Sequence, residues 1–78
     1  MPFLNQLTVG QQGSIEAVQG SDSLAQRLLE MGLLEGEAIQ ILNVAPLGDP
    51  IEIRLRDYRL SLRRSEAARI TVAIRGSS

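Results

Sequence analysis

The sequence predicts a small all-β domain with a short helical insertion: about five antiparallel strands in a strongly bent sheet or partly open barrel, with one helix after the first strand. Three observations carry this. The stretch IEIRLRDYRLSLRR, residues 51–64, alternates aliphatic and charged residues with a period of two, which a strand sorts onto two faces and a helix would scatter. SDSLAQRLLEMG, residues 21–32, is the one segment with an apolar stripe at helical spacing. Glycines at 10, 13, 32, 36 and 48 cut the remainder into short pieces.

Seventy-eight residues make a single domain with a modest core, burying only about 60–65% of the surface its unfolded chain exposes. Residues 1–6 read as an N-terminal arm, about 7–74 as the core, and 75–78 as a frayed tail. In and just after the arm, Phe3, Leu4 and Leu7 are available to tuck against the core. Gly10 and Gly13 bracket a turn, and SIEAVQ then reads as a strand with Ile15 and Ala17 on one face and Glu16 and Val18 on the other.

In the helix, Leu24, Leu28 and Met31 fall at i, i+4 and i+7, and Ala25 and Leu29 widen the stripe. Ser23 is the expected N-cap, completing a capping box with Gln26, and Asp22 and Ser21 are alternatives. Gly32 supplies a left-handed position after the last turn, and Leu33 can fold back over it. At two to three turns the helix depends on docking for its stability.

Gly36 marks the next turn. Ile39 and Ile41 then share one face and Leu42 and Val44 the other, a switch that predicts a bulge or a bend. In the loop PLGDP, Pro46 fixes φ, Gly48 permits positive φ and Pro50 forces Asp49 out of the helical region. The Asp49 carboxylate is expected to accept from the loop's own backbone. Two hairpin registers keep the aliphatics of 51–62 together. The preferred one places Asp57 and Tyr58 in the turn and Arg54 opposite Ser61; the other, with Arg56 and Asp57 in the turn, sets Arg54 against Arg59. SEAAR reads as one helical turn capped by Ser65, and ITVAI as the closing strand with Ile70, Val72 and Ile74 inward.

The net charge of −1 conceals an asymmetry. Arg27 stands against six carboxylates before residue 52, whereas five arginines (54, 56, 59, 63 and 64) stand against Glu52 and Asp57 in residues 52–64. Such a layout can orient a domain toward a partner, though outer strand faces are also charged simply to stay solvated. Every basic residue is arginine, which suits planar, multidentate contacts.

Chemistry is sparse. With no cysteine or histidine, disulfides, zinc fingers, thiol nucleophiles and imidazole bases are excluded. There is no phosphate-binding glycine motif and no lysine. The carboxylate pairs Glu35/Glu37 and Asp49/Glu52 have no third ligand of evident geometry. No catalytic residue, metal site or cofactor is expected. MPFLNQLTVG has neither a basic n-region nor a long apolar core, so a cytoplasmic domain without membrane insertion is expected. Two binding readings remain. An arginine-bearing sheet face can hold RNA or single-stranded DNA, but Phe3 and Tyr58 are the only aromatics. A protein-contact module fits better.

The segments RLLEMGLLEG (27–36), VAPLGDPIEI (44–53) and YRLSLRRSEAARI (58–70) together resemble the FeoA family, small cytosolic proteins associated with bacterial ferrous iron uptake, over about residues 7–72. The resemblance implies an SH3-like β-barrel with a helical insertion. It also implies a partner, the cytoplasmic side of the FeoB iron permease, which carries a GTP-binding domain, and a supporting or regulatory role rather than an enzymatic one. The same fold closes some iron-dependent repressors, but no helix-turn-helix pattern lies within these residues. Glu35 stands where the family often has Pro, and Asp57 where it often has Gly at the hairpin tip. On this reading the contact set is Arg27, Leu29, Leu33, Leu47, Asp49, Arg54, Tyr58, Arg59 and Arg63. Ser23, Gly32, Gly36, Gly48, Pro50 and Asp57 serve turns and caps. Nucleic acid is not the expected partner, and weak self-association through a sheet edge is left open.

Overall fold

The computed structural model describes residues 1–75. Five strands, β1 (Gln12–Val18), β2 (Ala38–Val44), β3 (Ile51–Leu55), β4 (Tyr58–Leu62) and β5 (Ile70–Ile74), form one sheet in the order β4-β3-β2-β1-β5. Every pairing is antiparallel. Helix α1 (Ser23–Glu30) follows β1, and the single turn α2 (Arg64–Ala67) joins β4 to β5. This is the architecture the alternation and the lone helical stripe predicted.

Bending is built by two bulges. In β1 the pairing with β5 slips between Ile15 and Ala17, and in β2 the pairing with β3 slips between Ile41 and Asn43. Each inserts one extra residue, which curves the strand and reverses the facing of the residues beyond it. The β2 bulge is the predicted switch: Ile39 and Ile41 are buried, and Val44 packs on the core past it. The β1 bulge corrects the expected facing, since Ile15 is inward but Ala17 is exposed and Val18 returns to the core. Gly13 permits close crossing of β1 and β5, because a Cβ there would lie 2.6 Å from the Ala73 carbonyl oxygen.

The core contains Leu4, Leu28, Leu33, Ile53, Leu55, Leu62, Ile70 and Val72, all inaccessible to solvent. The arm contributes as expected. Leu4–Gln6 form a 3₁₀ turn, Leu4 and Leu7 are buried, and the Pro2 carbonyl accepts from the Val72 N–H at 2.9 Å. That bond, with the Phe3–Thr71 bridge, closes the β5 edge.

Four local expectations are corrected. Ile74, expected inward, ends β5 at 44% exposure. The N-cap of α1 is Asp22, not Ser23; its carboxylate accepts from the Ala25 N–H. Arg69 holds that same carboxylate in place through both its oxygens, a contact invisible in the local sequence. The cap of α2 falls at Arg63, not Ser65, and it is the Glu66 carboxylate that accepts from the Arg63 N–H at 2.7 Å. The β3–β4 hairpin takes the register not preferred from sequence, with Leu55 opposite Tyr58 and Arg54 opposite Arg59. That register pairs Ile51 with Leu62 and Ile53 with Leu60. The alternative would have set Ile51 against Arg64. Burying an aliphatic side chain is worth about 1.5–3 kcal/mol, which outweighs a like-charge pair of at most about 1 kcal/mol. In consequence Arg56, not Asp57, takes the left-handed backbone at the tip, with φ of 57°. Gly32, Gly36 and Gly48 have φ of 101°, 89° and 84°. Of the tail, Arg75 donates its N–H to the Gln12 carbonyl at 2.8 Å, and residues 76–78 lie outside the described residues.

Candidate protein-contact surface

The residues singled out from the sequence fall into separate regions. Arg54 and Arg59 stand side by side on the outer face of the β3–β4 hairpin. With a two-residue turn, the pair Leu55–Tyr58 is hydrogen-bonded, so Arg54–Arg59 is the non-bonded type, where opposing side chains approach most closely. Two exposed cationic side chains therefore project from directly opposed positions. The Glu52 carboxylate comes only to 4.0 Å from Arg59, and no described carboxylate pairs with Arg54.

Beside Arg54 runs a shallow groove of about 170 Å³ lined by Gln12, Ala38, Ile39, Gln40, Arg54 and Arg56. Gln40 lies opposite Arg54 across the β2–β3 pairing and Gln12 opposite Gln40 across β1–β2. These two glutamines were not singled out from sequence. Alternation in AIQIL does place Gln40 outward, but only strand order brings Gln12 beside it. Arg56 forms an ion pair with Glu37. Hydrogen bonding to that guanidinium holds the Glu37 carboxyl below its ordinary range and raises Arg56 in turn.

A second region lies at the end of α1. Tyr58 points to the opposite face from Arg59, and its hydroxyl donates to the Met31 carbonyl at 2.9 Å. Leu29, Leu34 and Tyr58 remain 42%, 46% and 44% exposed. Leu33 is fully buried and presents no surface for a partner, because it folds back with its N–H bonded to the Leu28 carbonyl. The Arg27 side chain is largely exposed, yet its guanidinium reaches the buried Glu66 at 3.1 Å, tying α1 to α2.

The loop 45–50 forms a third region, at the far end of β3 from the hairpin tip. Gly48 N–H donates to the Ala45 carbonyl at 2.7 Å and Ala45 N–H to the Pro50 carbonyl at 3.1 Å; the Asp49–Pro50 peptide is cis. Asp49 accepts from the Arg64 N–H at 3.2 Å rather than from its own loop, so it pins the loop to α2. Leu47 projects from the tip, 90% exposed. Arg63 is exposed where β4 runs into α2.

Among the described residues no group of three or more side chains is arranged to hold a metal ion, and no helix is long and apolar enough to cross a membrane.

Fold and surface together define a class, a small SH3-like antiparallel β-domain with an arginine-lined outer face. Residues 3–74 match the model of the FeoA domain. The chain is 41% identical over 75 residues to a ferrous iron transport protein A/transporter FeoB fusion protein of Porphyromonas gingivalis, covering 96% of this chain but only 9% of that protein. The FeoA-like protein of Clostridium acetobutylicum superposes with a TM-score of 0.90 at 34% identity, covering 97% of this chain and 88% of that one. The zinc-complexed FeoA of Stenotrophomonas maltophilia, described as a prokaryotic SH3-domain protein, gives a TM-score of 0.82 at 31% identity, with 94% and 91% covered. The chain belongs to the FeoA family, whose members are linked to ferrous iron transport.

Proposed function

We propose that this domain is a non-enzymatic accessory of bacterial ferrous iron uptake that acts by direct contact with the cytoplasmic side of a FeoB-type permease. The observation that carries the reading is the Porphyromonas gingivalis protein, in which a segment 41% identical to this chain is joined to FeoB in one polypeptide. Fusion holds two parts at high effective concentration, as suits parts that work in contact. The Stenotrophomonas maltophilia relative has been put forward as a ferrous iron transport activating factor, which agrees with a regulatory role. The arginine face of β3 and β4 supplies electrostatic steering toward an acidic surface, and the exposed Leu47, Leu29, Leu34 and Tyr58 supply apolar contact. Binding of single-stranded nucleic acid is less well supported. Its stacking aromatics are missing from the arginine face, since Tyr58 is turned toward Met31 and Phe3 lies beside Thr71.

Isothermal titration of the protein into the detergent-solubilised cognate permease, in GDP and GTP-analogue states, tests the reading, with an RNA oligomer as control. Saturable binding to the permease and none to RNA is the expected result. No heat with the permease in either state, up to tens of micromolar, overturns the assignment; heat with RNA alone favours the nucleic-acid reading.

A further inference from the structure

The sheet has two edges, and they are treated differently. The β5 edge is occupied by the N-terminal arm through Pro2 and Phe3. The β4 edge is bare: among the described residues, β4 pairs only with β3, and no other backbone group bonds to it. Because Leu55–Tyr58 and Ile53–Leu60 are the hydrogen-bonded pairs, the N–H and C=O groups of Arg59 and Ser61 point away from the sheet. They form a short template for one more strand.

Charge selects what is added. Above the edge lie Arg59 and, one strand in, Arg54, two opposed cations whose one neighbouring carboxylate among the described residues is Glu52, 4.0 Å from Arg59. Below it lie the half-exposed Tyr58 and the partly buried Leu60, which packs on the core margin. A second copy of β4 would lay two arginine rows along one continuous face, a like-charge arrangement. A strand alternating acidic and apolar residues meets both faces favourably.

We propose that the β4 edge receives an extended acidic segment of a partner protein as a sixth strand, hydrogen-bonded to the peptide groups of Arg59 and Ser61 with its carboxylates against Arg59 and Arg54. The main chain supplies the attachment and alternate side chains the selectivity. This deepens the protein-contact reading above, on which it rests, by naming how the partner is gripped.

The test is titration of the isotope-labelled full chain with the acetylated, amidated peptide Val-Glu-Val-Glu-Val-Glu, monitored by amide chemical shifts and hydrogen exchange. Saturable binding, with the largest shifts and slowed exchange at the Arg59 and Ser61 amides, is expected. Ser61→Pro removes an outward N–H that the β3–β4 ladder does not use, and proline is tolerated there. It should weaken the peptide by about tenfold with little change in melting temperature. Should Ser61→Pro fail to fold, Arg59→Glu serves: it should lose the glutamate peptide and gain Val-Lys-Val-Lys-Val-Lys. Equal binding of both peptides to the wild type, or shifts confined to Gln40 and Arg54 with Ser61→Pro binding unchanged, would overturn the proposal. So would a concentration-dependent dimer that the peptide disperses. If the permease binds and Ser61→Pro does not alter it, strand addition falls while the permease assignment stands. If the peptide binds at the edge and the permease does not, the edge stands and the assignment falls.

Discussion

Arg69 grips both carboxylate oxygens of Asp22 at 2.9 Å across 47 residues of sequence. One of those oxygens also accepts from the Ala25 N–H, and the same guanidinium reaches the Gln19 carbonyl at 3.3 Å. A single ion pair thus orients the cap of α1, the loop leading to it and the start of β5.

That contact sets a pH dependence. Hydrogen bonding to Arg69, then to Ala25, holds the Asp22 carboxyl well below its ordinary value of 3.8. A carboxyl depressed on folding contributes stability that is fully present above the unfolded value and lost as pH falls below it toward the folded one. Glu37, depressed by Arg56, acts in the same direction. Thermal melts of wild type and Asp22→Asn should therefore differ at pH 7 and converge below about pH 4, since asparagine keeps a capping oxygen but not the charge. A difference that persists unchanged to pH 2 would contradict this.

Gly32 and Tyr58 are coupled. Gly32 has φ of 101°, and a Cβ there would lie 2.8 Å from the Tyr58 hydroxyl oxygen, the group that donates to the Met31 carbonyl. Gly32→Ala should cost more than about 1 kcal/mol from backbone strain alone, plus the displacement of Tyr58. In a Tyr58→Phe background the cost should shrink, with a coupling of about 0.5 kcal/mol or more in a denaturation double-mutant cycle. Strict additivity would show that Tyr58 moves aside freely.

The Arg27–Glu66 pair should be asymmetric. Arg27 is largely exposed, whereas Glu66 is 5% exposed and also receives the Arg63 N–H. Arg27→Ala should cost at most about 1 kcal/mol. Glu66→Ala strands a donor and leaves a void, and should cost about 1–3 kcal/mol. Urea unfolding of the two variants measures this directly.

Arg54→Glu should separate stability from binding. Replacing one of two opposed arginines turns a like-charge pair into an opposite one, a gain of a few tenths to about 1 kcal/mol. The same change should weaken partner binding and flatten its salt dependence. A stabilised variant that binds the permease as tightly as wild type, with the same salt slope, would remove Arg54 from the contact.

Within the contact set, the residues differ in how far sequence could place them. Arg54 and Arg59 were legible as outward because Ile53 and Leu60 flank them, and alternation leaves no other arrangement. That they oppose each other was not legible. The local preference ran against it, and the aliphatic pairing of Ile51 with Leu62 decided the register. Leu29 and Leu33 lie near the end of the same helix and look alike in sequence. One is 42% exposed and the other fully buried, because the Gly32 turn folds the chain back between them.

By itself the sequence determined what depends on neighbours within a few residues: strand alternation, the helical stripe of Leu24, Leu28 and Met31, glycine turns, and the motifs shared with the FeoA family. Only the tertiary structure decided what depends on partners distant along the chain. Arg69 chose Asp22 over Ser23 as the cap, Glu66 rather than Ser65 served α2, and the β1 bulge turned Ala17 outward. It also left β4 rather than β5 as the open edge, because the arm of Pro2 and Phe3 reaches one and not the other. Local rules rank conformations by tenths of a kcal/mol to about 1 kcal/mol, whereas each buried aliphatic side chain contributes about 1.5–3 kcal/mol, so packing overrides them wherever the two disagree.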